Sequence, residues 1–454
     1  MRSLSGGRFP QYILSNSDIC GKIPRFRSTL AIGPVHDLDR SSARRAPDES
    51  STPSGRPIRD QDGAVDFRAA DEMAEHRGPA RRWVDANTEP AWIEEQHRTG
   101  VYETAELHRR MAQDGILAAG WPPEYGGSDV DPDFAGAVVE EIRSAGFHVD
   151  AWDTTLMVIH TIADVGSEEQ KQRYIGGALR GDVLIALGYS EADAGSDMAA
   201  ARTTAVRDGD EWIIDGEKMF TSGAQACSHI FVLARTDPDA PKHAGLSLLL
   251  VPTEADGYSW RPIHTLGGQT TTTTLYRDVR VDGTALIGGA NNGWNVAGIA
   301  LAYERGSGGR SPYDEPLADD LTDWAASSSR ADGTRVLDDP LVAARIGRIR
   351  VDEEVARLLG HWSGWKAARG ELSPSDGAIR KLFASEAVLH NSSAVLDVLG
   401  AEGLLAHGEP GAPLDGGWER AFRQATVKPI YGGSNEIMRD LIAQRHLGLP
   451  RTRP

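Results

Sequence analysis

Residues 301–306 read Leu301-Ala302-Tyr303-Glu304-Arg305-Gly306, and they close a helical pattern that opens at Asn291-Asn292-Gly293. Small or apolar residues and one carboxylate recur on a single helix face at i, i+3, i+4 and i+7: Ala297, Ala300, Leu301 and Glu304. A carboxylate on such a face is partly removed from water, so we expect the pKa of Glu304 to rise and Glu304 to act as a general base. The plain alternative is a surface Glu paired with a Lys or Arg.

The composition is typical of a globular protein with more than one folding unit. The chain has 454 residues, of which 40% are hydrophobic and 25% charged. Its two cysteines, Cys20 and Cys227, lie far apart, so we expect a reducing, cytoplasmic location and no disulfide framework. No apolar run approaches the roughly 20 residues of a membrane span. The net charge of −18 argues against nucleic acids and anionic membranes as partners.

Changes of hydrophobic period divide the chain into four parts. Residues 1–62 mix Gly, Ser, Pro and Arg without a sustained period and predict a disordered extension, for which a transit peptide and a start codon assigned too far upstream both stay open. Residues 63–182 are helical in pattern, and residues 183–290 are rich in short β-branched runs. Helical patterns return in residues 291–454. We therefore expect an α+β multidomain fold.

Two local signals refine this division. Asp215-Gly216 lies between two apolar runs and predicts a tight hairpin. The polar stretch from Pro316 to Asp339 predicts a surface loop or insertion.

A series of short motifs then points to a family. They are Gly120–Gly127, Gly166–Lys171, Ser190–Asp197, Asp215–Ser222, Asp278–Val281, Asn292–Trp294 and Tyr431–Ile437. In residues and in order they resemble the acyl-CoA dehydrogenase family, over about residues 66 to 449. Each motif alone is weak, but the ordered series is specific.

That resemblance implies a fold and an activity. The fold has an N-terminal helical domain, a central β-barrel-like domain and a C-terminal four-helix bundle, with FAD between the β domain and the bundle. The flavin oxidises the Cα–Cβ bond of an acyl-CoA thioester to a trans-2-enoyl-CoA, while a base takes the α-proton and a hydride passes from Cβ to flavin N5. An electron-transfer flavoprotein then accepts the electrons. The resemblance further implies a homo-oligomer, a tetramer in preference to a dimer. It also implies a role in fatty acid and lipid metabolism, and no metal.

The resemblance also implies which residues hold the ligands. The cofactor contacts are Tyr189, Ser190, Gly195, Ser196, Phe220, Ser222, Gly400, Ser434 and Glu436. The substrate contacts are Ser196, Arg305, Tyr431 and Gly432. Each has a plainer interpretation: a surface turn around Ser196, sheet core for Phe220, and helix capping for Ser434.

The placement of the base follows a minority branch of the family. Most members carry a Glu directly after the Tyr of the C-terminal motif, where this chain has Gly432. Isovaleryl-CoA and long-chain acyl-CoA dehydrogenases place it on the helix after the β domain, at the position of Glu304. A small residue at 432 leaves room for that carboxylate, and its backbone N–H still serves the thioester oxygen together with a flavin ribityl hydroxyl. Arg305 matches a residue near the CoA, or is a helix-end Arg favoured by the dipole.

Two departures keep alternatives open. Asp397 stands where the family has a Gln that touches the neighbouring subunit's FAD. The family's Arg for the pyrophosphate is not visible after Arg305, and Ser329–Gly333 is a poor substitute. The altered Asp397 region therefore leaves a non-catalytic partner subunit of a heteromer as an alternative. A flavin oxidase or monooxygenase of the same fold also stays open, because cavity shape, which the sequence does not give, sets the access of oxygen. The length and branching of the acyl group stay open.

Overall fold

The computed structural model describes residues 74–306 and 317–451. For four of these, Ala74, Arg305, Gly306 and Ala368, it describes the backbone alone. The expected extension at residues 1–62 and the side chain of Arg305, an expected substrate contact, lie outside the described residues.

Helices form the N-terminal part of the fold. Their bounds are α1 Ala74–Asn87, α2 Pro90–Thr99, α3 Ala105–Gln113, α4 Pro132–Ser144, α5 Asp150–Val165, α6 Glu168–Gln170 and α7 Gly176–Leu179, with a π-helix at Lys171–Ile175 between α6 and α7. The central helix α5 buries much of its length, including Met157, Val158 and Ile162. A capping box between Ser167 and Gln170 opens α6.

One sheet follows. Its strands are β1 Ile185–Gly188, β2 Thr204–Asp208, β3 Glu211–Met219, β4 His229–Arg235, β5 Leu246–Pro252, β6 Tyr258–His264, β7 Thr270–Asp282 and β8 Leu286–Ile287. The strand order is β6-β7-β3-β2-β4-β5-β8, with β1 pairing in parallel with β4. The outermost strands of that order, β6 and β8, do not pair with each other within the described ranges, so the sheet is open and the expected barrel-like closure is wrong.

The predicted Asp215-Gly216 hairpin is also wrong. Both residues lie inside β3, which pairs with β7 on both sides of a register shift between Ile214 and Gly216. The tight turn comes earlier, where Asp208 pairs with Glu211 across two residues. The long-range pairing with β7 decides the outcome over the local turn signal, which instead marks an irregularity within a continuous strand.

Helices return after the sheet, as expected. Their bounds are α8 Gly293–Gly306, α9 Ala318–Ser327, α10 Pro340–Ala368, α11 Pro374–Leu399, α12 Gly417–Ala425 and α13 Asn435–Leu441. Helix α11 packs mainly against α10, α12 and α13. The surface loop predicted from Pro316 to Asp339 is wrong at Ala318–Ser327, where α9 buries Leu321 and Ala325 in the core of this domain, whereas residues 329–335 are an exposed loop.

Helix α8 occupies a different place from the rest of this bundle, because it packs chiefly against α5 of the N-terminal domain. Its buried side chains Val296, Ala297 and Ala300 belong to one apolar cluster with α5 and the sheet. In the described parts of the chain, no helix is both long and apolar enough to cross a membrane. The contacts of α8 with α5 and the sheet fix it against the other two domains. The expected order of helical, β and helical domains is confirmed.

Candidate functional site

A buried ion pair anchors the loop that follows β1. Lys218, at the end of β3, is fully buried, and its Nζ donates hydrogen bonds to Glu191 Oε1 at 2.7 Å and to the Tyr189 carbonyl at 3.2 Å. Burial lowers the pKa of Lys218 to about 8, against the opposing effect of Glu191. The cation is therefore removed from water and depends on its carboxylate partner.

Glu191 closes the same loop from the other side. Its carboxylate accepts backbone N–H bonds from Arg202 at 2.7 Å and from Thr203 at 2.9 Å. Burial alone would raise the pKa of Glu191, but Lys218 and these two donors lower it overall. Both ends of the 191–203 loop are thus fixed by one carboxylate.

The tip of that loop faces outward. Reciprocal backbone hydrogen bonds of 3.0 and 3.1 Å between Glu191 and Ala194 form a tight turn, after which Gly195 and Ser196 are exposed. A Cβ built on Gly195 would meet no atom within 4 Å, so packing within the chain does not require glycine there. Ser190 is half-buried, and its carbonyl accepts the Met219 N–H at 2.8 Å.

Phe220 stands at the end of β3 in a strained conformation. Its φ is +61°, and the residue is 60% exposed. A bulky residue in the left-handed region persists where its surroundings hold it, and such residues cluster at functional sites. Here the next residue is held on both sides, since Thr221 donates its N–H to the Thr272 carbonyl at 2.9 Å and accepts from the Thr272 hydroxyl at 2.7 Å. Phe220 is therefore not sheet core.

Ser222 lies just beyond, on the same edge. It is exposed, and its hydroxyl pairs with that of Thr271 at 3.0 Å. Phe220 and Ser222 thus present an aromatic face and a hydroxyl beside a row of threonine side chains on β7.

Glu304 lies near the end of α8 and is exposed. The expected desolvation of its carboxylate is therefore not supplied by the packing of this chain, because the buried face of α8 ends about one turn earlier, at Ala300. Helical spacing fixes the face of the helix on which a residue lies but not its distance from the core, so the sequence did not predict the exposure of Glu304.

The backbone around Glu304 is well anchored. Tyr303 donates its hydroxyl to Asp164 Oδ2 at 2.9 Å, which ties α8 to α5. Its ring stacks on His160 with centroids 5.0 Å apart, and His160 stacks on Trp121 at 4.6 Å. Burial lowers the pKa of His160, which favours the neutral ring in this stack.

One electrostatic contact joins Glu304 to the anchored loop. Burial raises the pKa of Tyr189 far above its usual value, and the negative charge of Glu304 raises it further. The candidate base therefore lies within electrostatic range of the residue that follows β1, although the two are 115 positions apart in the sequence.

The C-terminal motif forms a glycine turn followed by a capped helix. Gly432 and Gly433 have φ values of +63° and +87°, conformations that favour glycine. Tyr431 is 38% exposed. Ser434 caps α13 by accepting the Ile437 N–H at 3.4 Å, and Glu436 is exposed in the first turn. Capping, the plainer interpretation, is thus what the Ser434 hydroxyl does in this chain.

Gly400 lies at the other end of the bundle. The start of α13 is held by the buried Asn435, whose Oδ1 accepts from Lys381 at 2.7 Å and from Ser385 at 2.9 Å on α11. Gly400 follows the last residue of α11 and is exposed. Ser385 and Gly400 are fifteen positions apart along α11 and its end, or roughly 22 Å. The structure does not bring Gly400 and Ser434 together within one chain.

Three residues with a role at this site were not singled out from the sequence. Lys218 and Glu191 fix the loop, and Asn435 fixes the glycine turn. Lys218 had a usable signal, since it shares an even-numbered register with the apolar Trp212 and Ile214 and so faces the core. Its carboxylate partner, Glu191, could be identified only from the fold.

Comparisons with known proteins match the order of the three domains. The N-terminal, middle and C-terminal domain models of acyl-CoA dehydrogenase match residues 70–182, 186–279 and 291–447. The chain is 36% identical to acyl-CoA dehydrogenase FadE26 of Mycobacterium tuberculosis over 366 residues, which is 78% of this chain and 90% of that relative.

Solved structures give the same result. The chain is similar to the ChsE4-ChsE5 complex from Mycobacterium tuberculosis, with 35% identity and a TM-score of 0.77 over 84% of this chain and 98% of that one. It is also similar to the Tcur3481-Tcur3483 steroid ACAD, with 36% identity and a TM-score of 0.76 over 86% of this chain and all of that one.

Proposed function

This chain belongs to the acyl-CoA dehydrogenase family, and from that premise we propose that Glu304 is the base of its reaction, with FAD as the cofactor. Its relatives support α,β-dehydrogenation of an acyl-CoA as the activity. The observation that supports this assignment is the effect of the Glu304 charge on the pKa of the buried Tyr189, since such an effect requires the two side chains to be near each other and Tyr189 begins the loop expected to hold the flavin.

The β-domain residues fit a flavin. Phe220 offers an exposed aromatic face on a strained backbone, and Ser222 offers an exposed hydroxyl next to it. Gly195 has open space on its side-chain face, so a ligand can approach the backbone closely there. These donors are uncharged, which suits the edge of an isoalloxazine ring. We propose that they hold the ring, with Ser190 and Ser196 completing the set.

The C-terminal residues would serve the thioester. The glycine turn at 432–433 exposes backbone in a conformation that a larger side chain would find strained. The N–H of Gly432 is proposed as a donor to the thioester oxygen, which gains negative charge as the α-proton leaves. Tyr431 would line the same space, and Arg305 would contact the CoA.

In this proposal a side chain of the protein, and not the cofactor, removes the α-proton. Glu304 would accept the α-proton while the oxygen is stabilised, since a base and an oxyanion donor must act together. The Tyr303 hydroxyl bond to Asp164 keeps the last turn of α8 in place during this step. The bound flavin supplies the two-electron acceptor for the hydride that leaves Cβ.

An electron-transfer flavoprotein is the proposed electron acceptor, and an oligomer is the proposed assembly. The exposed position of Gly400 and of the neighbouring Asp397 is compatible with a contact between subunits. Two of the similar structures carry two chain names, ChsE4-ChsE5 and Tcur3481-Tcur3483. A heteromer with a second dehydrogenase-like chain is therefore the second candidate, favoured by the carboxylate at 397 where the family has an amide.

An anaerobic titration tests the proposal. The purified protein is mixed with straight, branched and polycyclic acyl-CoAs, and the flavin absorbance near 450 nm is followed. Loss of absorbance without O₂, with little peroxide on later exposure to air, is the expected result. Rapid peroxide formation would instead identify an oxidase. Protein without flavin, which gains it when a second chain is co-expressed, would identify the heteromer.

A further inference from the structure

Tyr189 carries a buried polar atom that the mechanism above does not use. The residue is 6% exposed, and its hydroxyl has no hydrogen-bond partner within the described part of the chain. A buried hydroxyl without a partner loses its hydrogen bonds to water on folding and gains none in return, which destabilises the folded state. Such an atom needs an explanation, and its place in the fold suggests one.

The ring of Tyr189 packs in the apolar core shared by the N-terminal domain, the sheet and α8. It belongs to the apolar cluster that contains Val296, Ala297 and Ala300 of α8, and it lies 6.2 Å from the ring of Phe231. Its backbone is held by the Lys218 bond to its carbonyl. Ala297, Ala300 and Glu304 share a face of α8, and the first two belong to the same cluster as Tyr189.

The surrounding charges make this hydroxyl a donor. Burial and the charge of Glu304 both raise the pKa of Tyr189, so the phenol keeps its proton throughout the working range of the enzyme. Other charged and titratable groups of this region have partners. Asp164 accepts from Tyr303, whose ring covers His160, and Lys218 pairs with Glu191.

We propose that Tyr189 is a positioning residue for the base, and that its hydroxyl donates a hydrogen bond to the Glu304 carboxylate. The bond directs the carboxylate inward from the exposed end of α8 and keeps it ionised before the substrate proton arrives. The inference rests on the proposed function of Glu304 and adds the residue that orients it.

The test is the pH dependence of flavin reduction in Tyr189→Phe. Single-turnover bleaching is measured anaerobically from pH 5 to 9 with an acyl-CoA that reduces the wild-type protein. Loss of a donor to a carboxylate raises the pKa of the carboxylate, so the midpoint of the profile should move up by about one unit, a tenfold change in proton affinity. Below that midpoint the rate should fall about tenfold, whereas at high pH it should fall less.

Tyr258→Phe is the matched control. Tyr258 is a second tyrosine with a buried, unpartnered hydroxyl, but it packs on Tyr276 in the sheet, and Cys227 rather than Glu304 acts on its pKa. Its profile should coincide with that of the wild type. Folding is checked by circular dichroism and by flavin content, both of which Tyr189→Phe should retain because phenylalanine keeps the packing of the buried ring.

Three outcomes separate the claims. An unshifted profile in Tyr189→Phe, with wild-type bleaching intact, overturns the positioning role alone. A change confined to flavin affinity or KM also overturns it, because the hydroxyl then serves a ligand rather than the base. If the wild-type protein is not bleached by any acyl-CoA, the proposed function itself fails.

Discussion

The two sides of the candidate site are built differently. On the β-domain side, one buried pair, Lys218 and Glu191, holds the loop from both ends, and Phe220 is fixed in a strained, outward conformation. On the bundle side, the expected cofactor residues Gly400 and Glu436 are exposed and lie at separate ends of the helices that carry them.

The difference shows how much of a site a single chain can form. The β-domain side is determined by the folding of this chain, because its charges are neutralised inside it. On the bundle side, Gly400 and Ser434 are not brought together within one chain, so we expect a second chain to complete it. Stability should therefore respond to changes on the first side, and cofactor retention and assembly to changes on the second.

The largest expected effect is that of Lys218→Met. It leaves the Glu191 carboxylate in a low-dielectric environment without its cation, and breaking a buried pair in this way costs about 3–5 kcal/mol of unfolding free energy. Denaturant unfolding followed by circular dichroism measures the loss, and flavin should be lost with it.

Two further variants test whether the loss comes from the buried ion pair. Adding Glu191→Gln to Lys218→Met should recover part of the loss, because the remaining buried group is then neutral. Lys242→Met breaks an exposed pair with Asp197 and should cost less than about 1 kcal/mol. Equal losses in Lys218→Met and Lys242→Met would contradict the central role given to the buried pair.

A smaller effect is expected from acid. Burial lowers the pKa of His229, at the start of β4, to about 4. Below about pH 6.5 this histidine takes up a proton in the unfolded chain but not in the folded chain. Its contribution to the unfolding free energy is therefore fully present above pH 6.5 and is lost as the pH falls from 6.5 to 4. The slope contributed by this histidine is about 1.4 kcal/mol per pH unit.

Unfolding free energies from pH 4.5 to 7 check this expectation. His229→Asn should flatten the profile by that slope. A wild-type slope retained in His229→Asn would mean that His229 is already protonated in the folded protein.

The smallest effect on stability is expected on the bundle side. Asp397 is exposed and lies 3.7 Å from Arg345, an ion pair worth less than about 1 kcal/mol. Asp397→Gln should hardly change the unfolding free energy but should raise FAD retention, because it removes a negative charge near the expected pyrophosphate. Flavin content after gel filtration measures it, and unchanged retention would place Asp397 away from the cofactor.

The sequence predicted the order of domains and the acyl-CoA dehydrogenase family, because both depend on local period and on ordered motifs. The sequence did not predict features that depend on the pairing of strands far apart in the chain. Asp215-Gly216 predicts a hairpin in isolation, but pairing of β3 with β7 extends the strand through it. The closure of a sheet likewise depends on its outer strands, which no local pattern describes.

The site shows the same division. Helical spacing placed Glu304 on the face of Ala297 and Ala300, and the structure keeps that order. Spacing could not give the depth of the carboxylate, since that depends on how far α8 extends beyond the core. The partnership of Lys218 with Glu191 was equally out of reach, because it joins two segments 27 positions apart.

The most direct test of the account is single-turnover flavin reduction in Glu304→Gln, compared with Glu371→Gln, which changes an exposed carboxylate elsewhere. The amide keeps the size of the side chain but cannot accept the α-proton. Glu304→Gln should therefore bind flavin normally and bleach at least about a hundredfold more slowly than the wild type, while Glu371→Gln should match the wild type. Bleaching of Glu304→Gln at the wild-type rate would contradict the assignment of the base.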